Sequence, residues 1–244
     1  MTDQLRSELL KLRTTPTLTV LLLAATGLTQ LGACIEALTP TVGELAGKDP
    51  QRLSLGAGSS SAVLLATFAG QLVVTSEFRY GTIHPTMLVQ PRRAVVLAAK
   101  LAAAALAGLV FAVVCEAVSL ATGLIVLGVR DVDLALTTGD VLALIVGVIA
   151  CAPLSAMLGV AVGALIRNQT GAIVAVAAYA LMVDAALFAA APSLGRYLPG
   201  KAGDALAGRP VDDLLAPGVG AAVLALWVLA FVLAAVVRTE RSDV

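Results

Sequence analysis

The chain alternates between long apolar stretches and short polar ones. Six stretches of about 20 residues or more are apolar throughout, apart from single acids in the third and fifth. A helix needs about 20 apolar residues to cross a bilayer, and runs that do not alternate with a period of two favour helices over barrel strands. The pattern predicts an all-α polytopic membrane protein with a single six-span domain, its spans near residues 17–38, 56–76, 97–128, 141–166, 171–191 and 217–237.

Composition agrees with this class. The chain is 59% hydrophobic and 13% charged, whereas about 25% of the residues of a soluble domain are charged. Such a chain has too little polar surface to cover a globule in water, so membrane lipid is its expected environment. The formal net charge is zero and no basic stripe is present, which gives no indication of a nucleic-acid partner.

Lys and Arg are biased towards one side of the predicted bundle. With six spans both termini share a side, and more of the 16 Lys and Arg residues fall there than on the other. The positive-inside rule then places both termini in the cytoplasm. In "QLRSELLKLRTTP" the apolar face of Leu5, Leu9 and Leu12 predicts a cytoplasmic amphipathic helix lying on the membrane; a plain extension of the first span is the alternative.

The segment "SEFRYGTIHPTMLVQPRR", residues 76–93, is the most polar block between two spans on the cytoplasmic side. Gly81 permits a turn, Thr82 is a suitable N-cap, and Pro91 disfavours helix just before it. These signals predict a short helix over 83–89 with Ile83 and Met87 on one face. Such a helix is suited to docking into another protein, and a solvated loop is the alternative.

This block resembles the segment after the second span of ABC-2 type permeases, the membrane subunits of ATP-binding-cassette exporters. The resemblance lies in an acid and an aromatic, then Gly-Thr, a further Thr, a Pro-x-Arg-like step and a Lys at the next span; these fall on Glu77, Phe78, Gly81, Thr82, Thr86, Pro91, Arg92, Arg93 and Lys100. Met87 stands where the family usually has Leu. "SELLKLRTTP" is similar to the family's cytoplasmic elbow, with Glu8, Lys11 and Arg13 in matching places, and "IRNQ" at 166–169 to its turn between spans four and five.

The resemblance implies a half-transporter in a bacterial cell membrane. It would pair with a second permease subunit and rest on a separate ATPase chain, which holds ATP and Mg²⁺. A coupling helix in the 76–93 block would dock into that ATPase. The implied coupling residues are Glu77, Gly81, Thr82, Ile83, His84, Thr86, Met87, Pro91, Arg92 and Arg93.

The chain itself lacks the G-x-x-x-x-G-K-[ST] pattern of a nucleotide-binding loop. We therefore expect no nucleotide-binding domain and no bound cofactor. Serine chemistry needs a base within reach, and the only histidine, His84, lies in the cytoplasmic block. A transporter subunit rather than an enzyme is predicted. Its substrate is expected to be hydrophobic or amphipathic, such as a drug, lipid or peptide.

Two acids lie deep within predicted spans. Ionisable residues at such depth usually face protein or water and carry function, so Glu116 and Asp184 are candidates for the substrate path; structural hydrogen bonding is the alternative. No Lys or Arg is expected at matching depth. The same two acids would serve a proton-coupled secondary transporter, and a non-transporting anchor or sensor subunit is a third possibility.

Two further patterns concern packing. Gly159 and Gly163 form G-x-x-x-G in the fourth span, which permits close helix contact within the chain or at a dimer face. The Gly- and Pro-rich loop before the last span is amphipathic. In the family that region often forms short helices at the outer leaflet, and a flexible loop is the alternative.

Overall fold

A computed structural model describes residues 2–82 and 92–241 of the chain. The predicted coupling helix at 83–89, and with it Ile83, His84, Thr86, Met87 and Pro91, lies outside the described residues. Within the described ranges every regular element is a helix, which confirms the predicted all-α class.

Six helices in the described ranges are long and apolar enough to cross a membrane, as the sequence pattern predicts. We call them the first to sixth spans: Pro16–Leu38, Gly58–Tyr80, Arg93–Val129, Thr138–Ile166, Gln169–Ala190 and Pro217–Arg241. The chain therefore has the architecture of a multi-pass membrane protein. Helix Thr2–Thr14 precedes the first span, and the shorter helices are Val42–Leu45, Lys48–Leu55, Pro192–Gly195 and Pro199–Leu206.

The boundaries follow local sequence signals. The N-terminal helix ends at Thr14, Thr15 is extended, and Pro16 opens the first span at a position where its missing N–H is harmless. Thr137 caps the fourth span in a capping box with Asp140. The second span, predicted to begin near residue 56, begins at Gly58, and Gly56 and Ala57 separate it from a short preceding helix, Lys48–Leu55.

Hydrogen bonds define the two ends of the bundle. At one end, which we call the terminal end, the N-terminal helix meets the second and third spans, and Arg93 Nη1 donates to the Thr239 carbonyl at 2.6 Å. At the other, the loop end, Arg130 donates to the carbonyls of Ala37 and Pro40. The N-terminal helix, the described end of the sixth span and both flanks of 83–91 thus share one end.

The second and fourth spans cross at the centre of the bundle with almost no side chain between them. A Cβ added at Gly70 would overlap the carbonyl oxygen of Ala156, and one at Gly159 would overlap that of Thr67. Gly163 is buried against Gln71 of the same second span. The G-x-x-x-G pair therefore packs inside the chain, so these two glycines do not form an outer face for a second subunit.

Candidate functional site

Four charged residues from three helices meet at the terminal end. Glu8 and Lys11 belong to the N-terminal helix, Glu77 lies near the end of the second span, and Lys100 lies near the start of the third. Only 2% of Glu8, 5% of Glu77 and 2% of Lys100 is exposed, whereas Lys11 remains accessible on one side. We call this group the anchor cluster.

The Lys100 ammonium is fully hydrogen-bonded. Its Nζ lies 3.0 Å from Glu8 Oε2, 2.7 Å from Glu77 Oε1 and 3.2 Å from the Val73 carbonyl oxygen. These three acceptors match the three N–H donors of a lysine. Lys11 completes the group, because its Nζ lies 2.8 Å from Glu8 Oε1 and 2.7 Å from Glu77 Oε1.

The charges of the anchor cluster balance, with two carboxylates against two ammonium groups. Burial alone would lower the pKa of Lys11, but hydrogen bonds and charges from Glu77 and Glu8 outweigh it and raise the pKa above its ordinary value. A buried ion pair contributes little net stability, yet removing one partner is strongly destabilising because the other charge is left buried. The cluster therefore fixes which three helices lie together at this end.

Four other predicted coupling residues lie beside the anchor cluster. Gly81 ends the second span in the left-handed conformation, at φ 68°, which a residue without Cβ adopts readily. The Thr82 amide donates to the Glu77 carbonyl at 3.0 Å. Arg92 is extended and precedes the third span, and Arg93 bonds the sixth span near its end. Both flanks of 83–91 are thus held to the bundle.

A second feature is a lateral groove of about 650 Å³ between the second, fourth, fifth and sixth spans and the short helix Pro199–Leu206. Its walls are mostly apolar. Trp227 of the sixth span lines the groove and donates its indole N–H to the Tyr197 carbonyl at 2.8 Å. Trp227 is the chain's only tryptophan. The volume lies in the range of small-molecule sites.

Charged residues cross the groove at its loop end in alternating sign. Asp184 lies 3.7 Å from Lys201, Lys201 lies 3.0 Å from Asp204, and Asp204 lies 3.7 Å from Arg209. Arg209 also bonds the Ser60 hydroxyl of the second span. We call this chain of contacts the rim network; it ties the fifth span to the second through the loop 191–216.

A π-helical segment, Tyr179–Val183, shapes the fifth span where it lines the groove. The Tyr179 hydroxyl donates to Asp184 Oδ1 at 2.9 Å. In an α-helix, side chains five residues apart diverge by about 140° around the axis. The wider π turn takes up an extra residue and brings the two side chains to one side.

The two acids predicted for the substrate path, Glu116 and Asp184, lie in different places in the structure. Asp184 lines the groove, and the expectation that no basic residue reaches its depth is wrong, because Lys201 folds back from the loop. Glu116 is 2% exposed and does not line the groove. Neither of its carboxyl oxygens has a hydrogen-bond partner among the described residues.

Sequence reasoning missed the rim network beyond Asp184. Its signal was available in the helix start Leu198–Pro199 followed by Lys201 and Asp204 three residues apart, a spacing that brings side chains together on a helix. The observed short helices Pro192–Gly195 and Pro199–Leu206 agree with the expectation for this loop.

We compared the chain with known protein families, curated proteins and solved structures, and none of them matches it. The features that bear on function are therefore the anchor cluster, the groove, and the resemblance of residues 76–100 to a permease motif.

Proposed function

We propose that the chain is the permease subunit of an ABC-2 type exporter in a bacterial cell membrane, driven by ATP hydrolysis in a separate subunit. Both termini and the connection 81–92 would then be cytoplasmic. The observation that carries the proposal is the anchor cluster. It joins the two flanks of 83–91, the segment expected to dock into the ATPase, to one another and to the N-terminal helix.

The anchor cluster would allow a force on residues 83–91 to reach the spans. Glu77 lies six residues before position 83, Lys100 lies nine residues after position 91, and their side chains are 2.7 Å apart. A push on the connection therefore acts on the second span, the third span and the N-terminal helix together. Without the Glu77–Lys100 contact, residues 81–92 could move while the spans remained in place.

The second span links the anchor cluster to the groove. It is one continuous helix from Gly58 to Tyr80, with Glu77 near the terminal end and Ser60 and Thr67 lining the groove. Displacement of its terminal end by a partner ATPase would therefore change the width of the groove. The apolar walls favour a hydrophobic or amphipathic substrate.

A second permease subunit is also part of the proposal. The first and fifth spans are the least buried of the six. Their outward residues include Leu23, 67% exposed, and Met182, 68% exposed. These faces are available to a second subunit or to lipid.

The proton-coupled alternative has less support. It relies on Glu116 and Asp184 acting along one path. Glu116 is buried and does not line the groove, whereas Asp184 does, so the two acids do not share one path.

The test is an aspartate in the predicted docking face, Ile83→Asp, against a matched control, Val42→Asp. Val42 is 51% exposed on a short helix at the loop end. Each variant is expressed in the source bacterium and purified gently from its membranes. We expect wild type and Val42→Asp to co-purify with a chain that carries a nucleotide-binding loop, and Ile83→Asp to lose most of it at unchanged membrane level.

Two results would overturn the proposal. One is the reproducible lack of any nucleotide-hydrolysing companion in the wild-type preparation. The other is retention of that companion, with full stimulated ATP hydrolysis, by Ile83→Asp.

A further inference from the structure

The groove extends along the bundle axis. On the fourth span its lining runs from Ser155 to Ile166, the last residue of that helix. Eleven residues of α-helix correspond to about 16 Å. The groove therefore extends over about half the hydrocarbon thickness of a bilayer, which is roughly 30 Å.

The wall of the groove offers few hydrogen-bond donors. The hydroxyls of Thr67 and Ser155 donate to carbonyls of their own helices, at 2.7 Å to Val63 and 2.9 Å to Cys151. The remaining lining of this stretch is largely Val, Leu, Ile and Ala. Such a wall suits a hydrocarbon chain, because a polar body would leave its own groups unpaired.

The rim network supplies the polar part at one end only. Asp184 and Asp204 alternate with Lys201 and Arg209, so the net charge of the rim is zero. The contacts Asp184–Lys201 and Asp204–Arg209 are long, at 3.7 Å, and can be exchanged for contacts to a ligand. A ligand that carries one positive and one negative group matches this pattern. A head group with a single charge is repelled by the two rim residues that carry the same sign.

We propose that the groove binds a zwitterionic phospholipid, with one acyl chain along the fourth span and the head group at the rim network. The amine of the head group lies by Asp184 and Asp204, and its phosphate lies by Lys201 and Arg209. This goes beyond the proposed function, since it requires neither an ATPase nor transport.

The experiment is native mass spectrometry of the purified chain, without any partner, after incubation with an equimolar mixture of phosphatidylethanolamine and phosphatidylglycerol carrying the same acyl chains. We expect one lipid to be retained at activation energies that remove the rest, with phosphatidylethanolamine favoured at least fivefold. Lipids that merely coat the spans would show no such preference.

Val162→Phe tests the position of the tail, because residue 162 lines the groove. Its matched control is Val146→Phe on the same helix, where the side chain is 62% exposed and lies outside the groove. We expect the retained lipid to fall at least fivefold in Val162→Phe and to be unchanged in Val146→Phe. Equal retention by the two variants would overturn the assignment of the groove.

The rim variants Asp204→Asn and Lys201→Gln test the head group without altering the spans. We expect Asp204→Asn to shift the preference towards phosphatidylglycerol and Lys201→Gln to weaken retention of both lipids. In parallel, a brominated acyl chain should quench Trp227 fluorescence in wild type, and less so in Val162→Phe than in Val146→Phe. Equal retention of the two head groups by wild type, or no shift in Asp204→Asn, would overturn the zwitterion assignment.

Discussion

Replacing Lys100 with Met is the sharpest perturbation of the anchor cluster. Methionine keeps the length of the side chain but removes the ammonium that lies 3.0 Å from Glu8 and 2.7 Å from Glu77. Two buried carboxylates would then share Lys11 alone. Breaking a buried pair by removing one partner costs about 3–5 kcal/mol.

The cost should appear as detachment of the N-terminal helix, because that helix contributes Glu8. Each 1.4 kcal/mol is a factor of about ten, so protection of the amides of Thr2–Thr14 should fall by roughly a hundredfold to a few thousandfold. Hydrogen exchange followed by mass spectrometry on the detergent-solubilised protein measures this directly. The second span, followed in the same experiment, should lose far less protection.

Lys11→Met is the matched control. Its side chain is 44% exposed, so water can replace part of what it gives to the buried Glu8 and Glu77 carboxylates. Exchange in the N-terminal helix should therefore rise by about tenfold less than in Lys100→Met. Adding Glu77→Gln to Lys100→Met removes one of the two carboxylates that would share Lys11, and should recover part of the protection. Equal effects of Lys100→Met and Lys11→Met would refute the reasoning, as would no gain in the double variant.

Three other predictions follow from packing and local geometry. Gly159→Ala should destabilise the protein by about 1–3 kcal/mol, because the new methyl overlaps the Thr67 carbonyl. The control, Gly27→Ala, should not, because its new methyl would have no described atom within 4 Å outside its own helix turn. Unfolding in dodecyl sulfate compares the two variants. Glu116→Leu should leave stability in the same assay unchanged or raised, since the buried carboxyl, whose oxygens have no partner within 2–82 and 92–241, is replaced by an apolar group of similar size; a clear loss would reveal a partner. Deleting Leu181 should convert the π segment to α-helix and leave its tyrosine and the following aspartate four positions apart on one face, so their hydrogen bond and lipid retention should be kept; loss of retention at unchanged expression would contradict this.

The spans could be predicted from the sequence because an apolar run of sufficient length is a local property. The short helix Lys48–Leu55 ahead of the second span could not, because its charged residues interrupt the apolar run. The π segment was equally hidden, since Tyr179–Val183 contains only ordinary helix-compatible residues.

The two candidate sites depend on distant pairs. Glu8 and Lys100 are separated by 92 positions, and only the packing of three helices brings them to 3.0 Å. Each residue was singled out by its place in a motif, but their contact was not predicted. The contact between Lys201 and Asp184 could not be predicted, because Lys201 lies outside the spans in sequence. The position of Asp184 within its span does not show that the short helix Pro199–Leu206 packs back against that span.

The close backbone contact at Gly70 and Gly159 provides a point about which the second span could tilt. Backbone rests on backbone there, so a tilt does not have to unlock interdigitated side chains. Glu77 lies about 10 Å to one side of Gly70 and Ser60 about 15 Å to the other, taking about 1.5 Å per residue. Under the proposed function, a rigid tilt of the second span about this crossing would move Ser60 in the opposite sense to Glu77 and about half as far again, so that an inward displacement at the anchor cluster would widen the groove at the rim network.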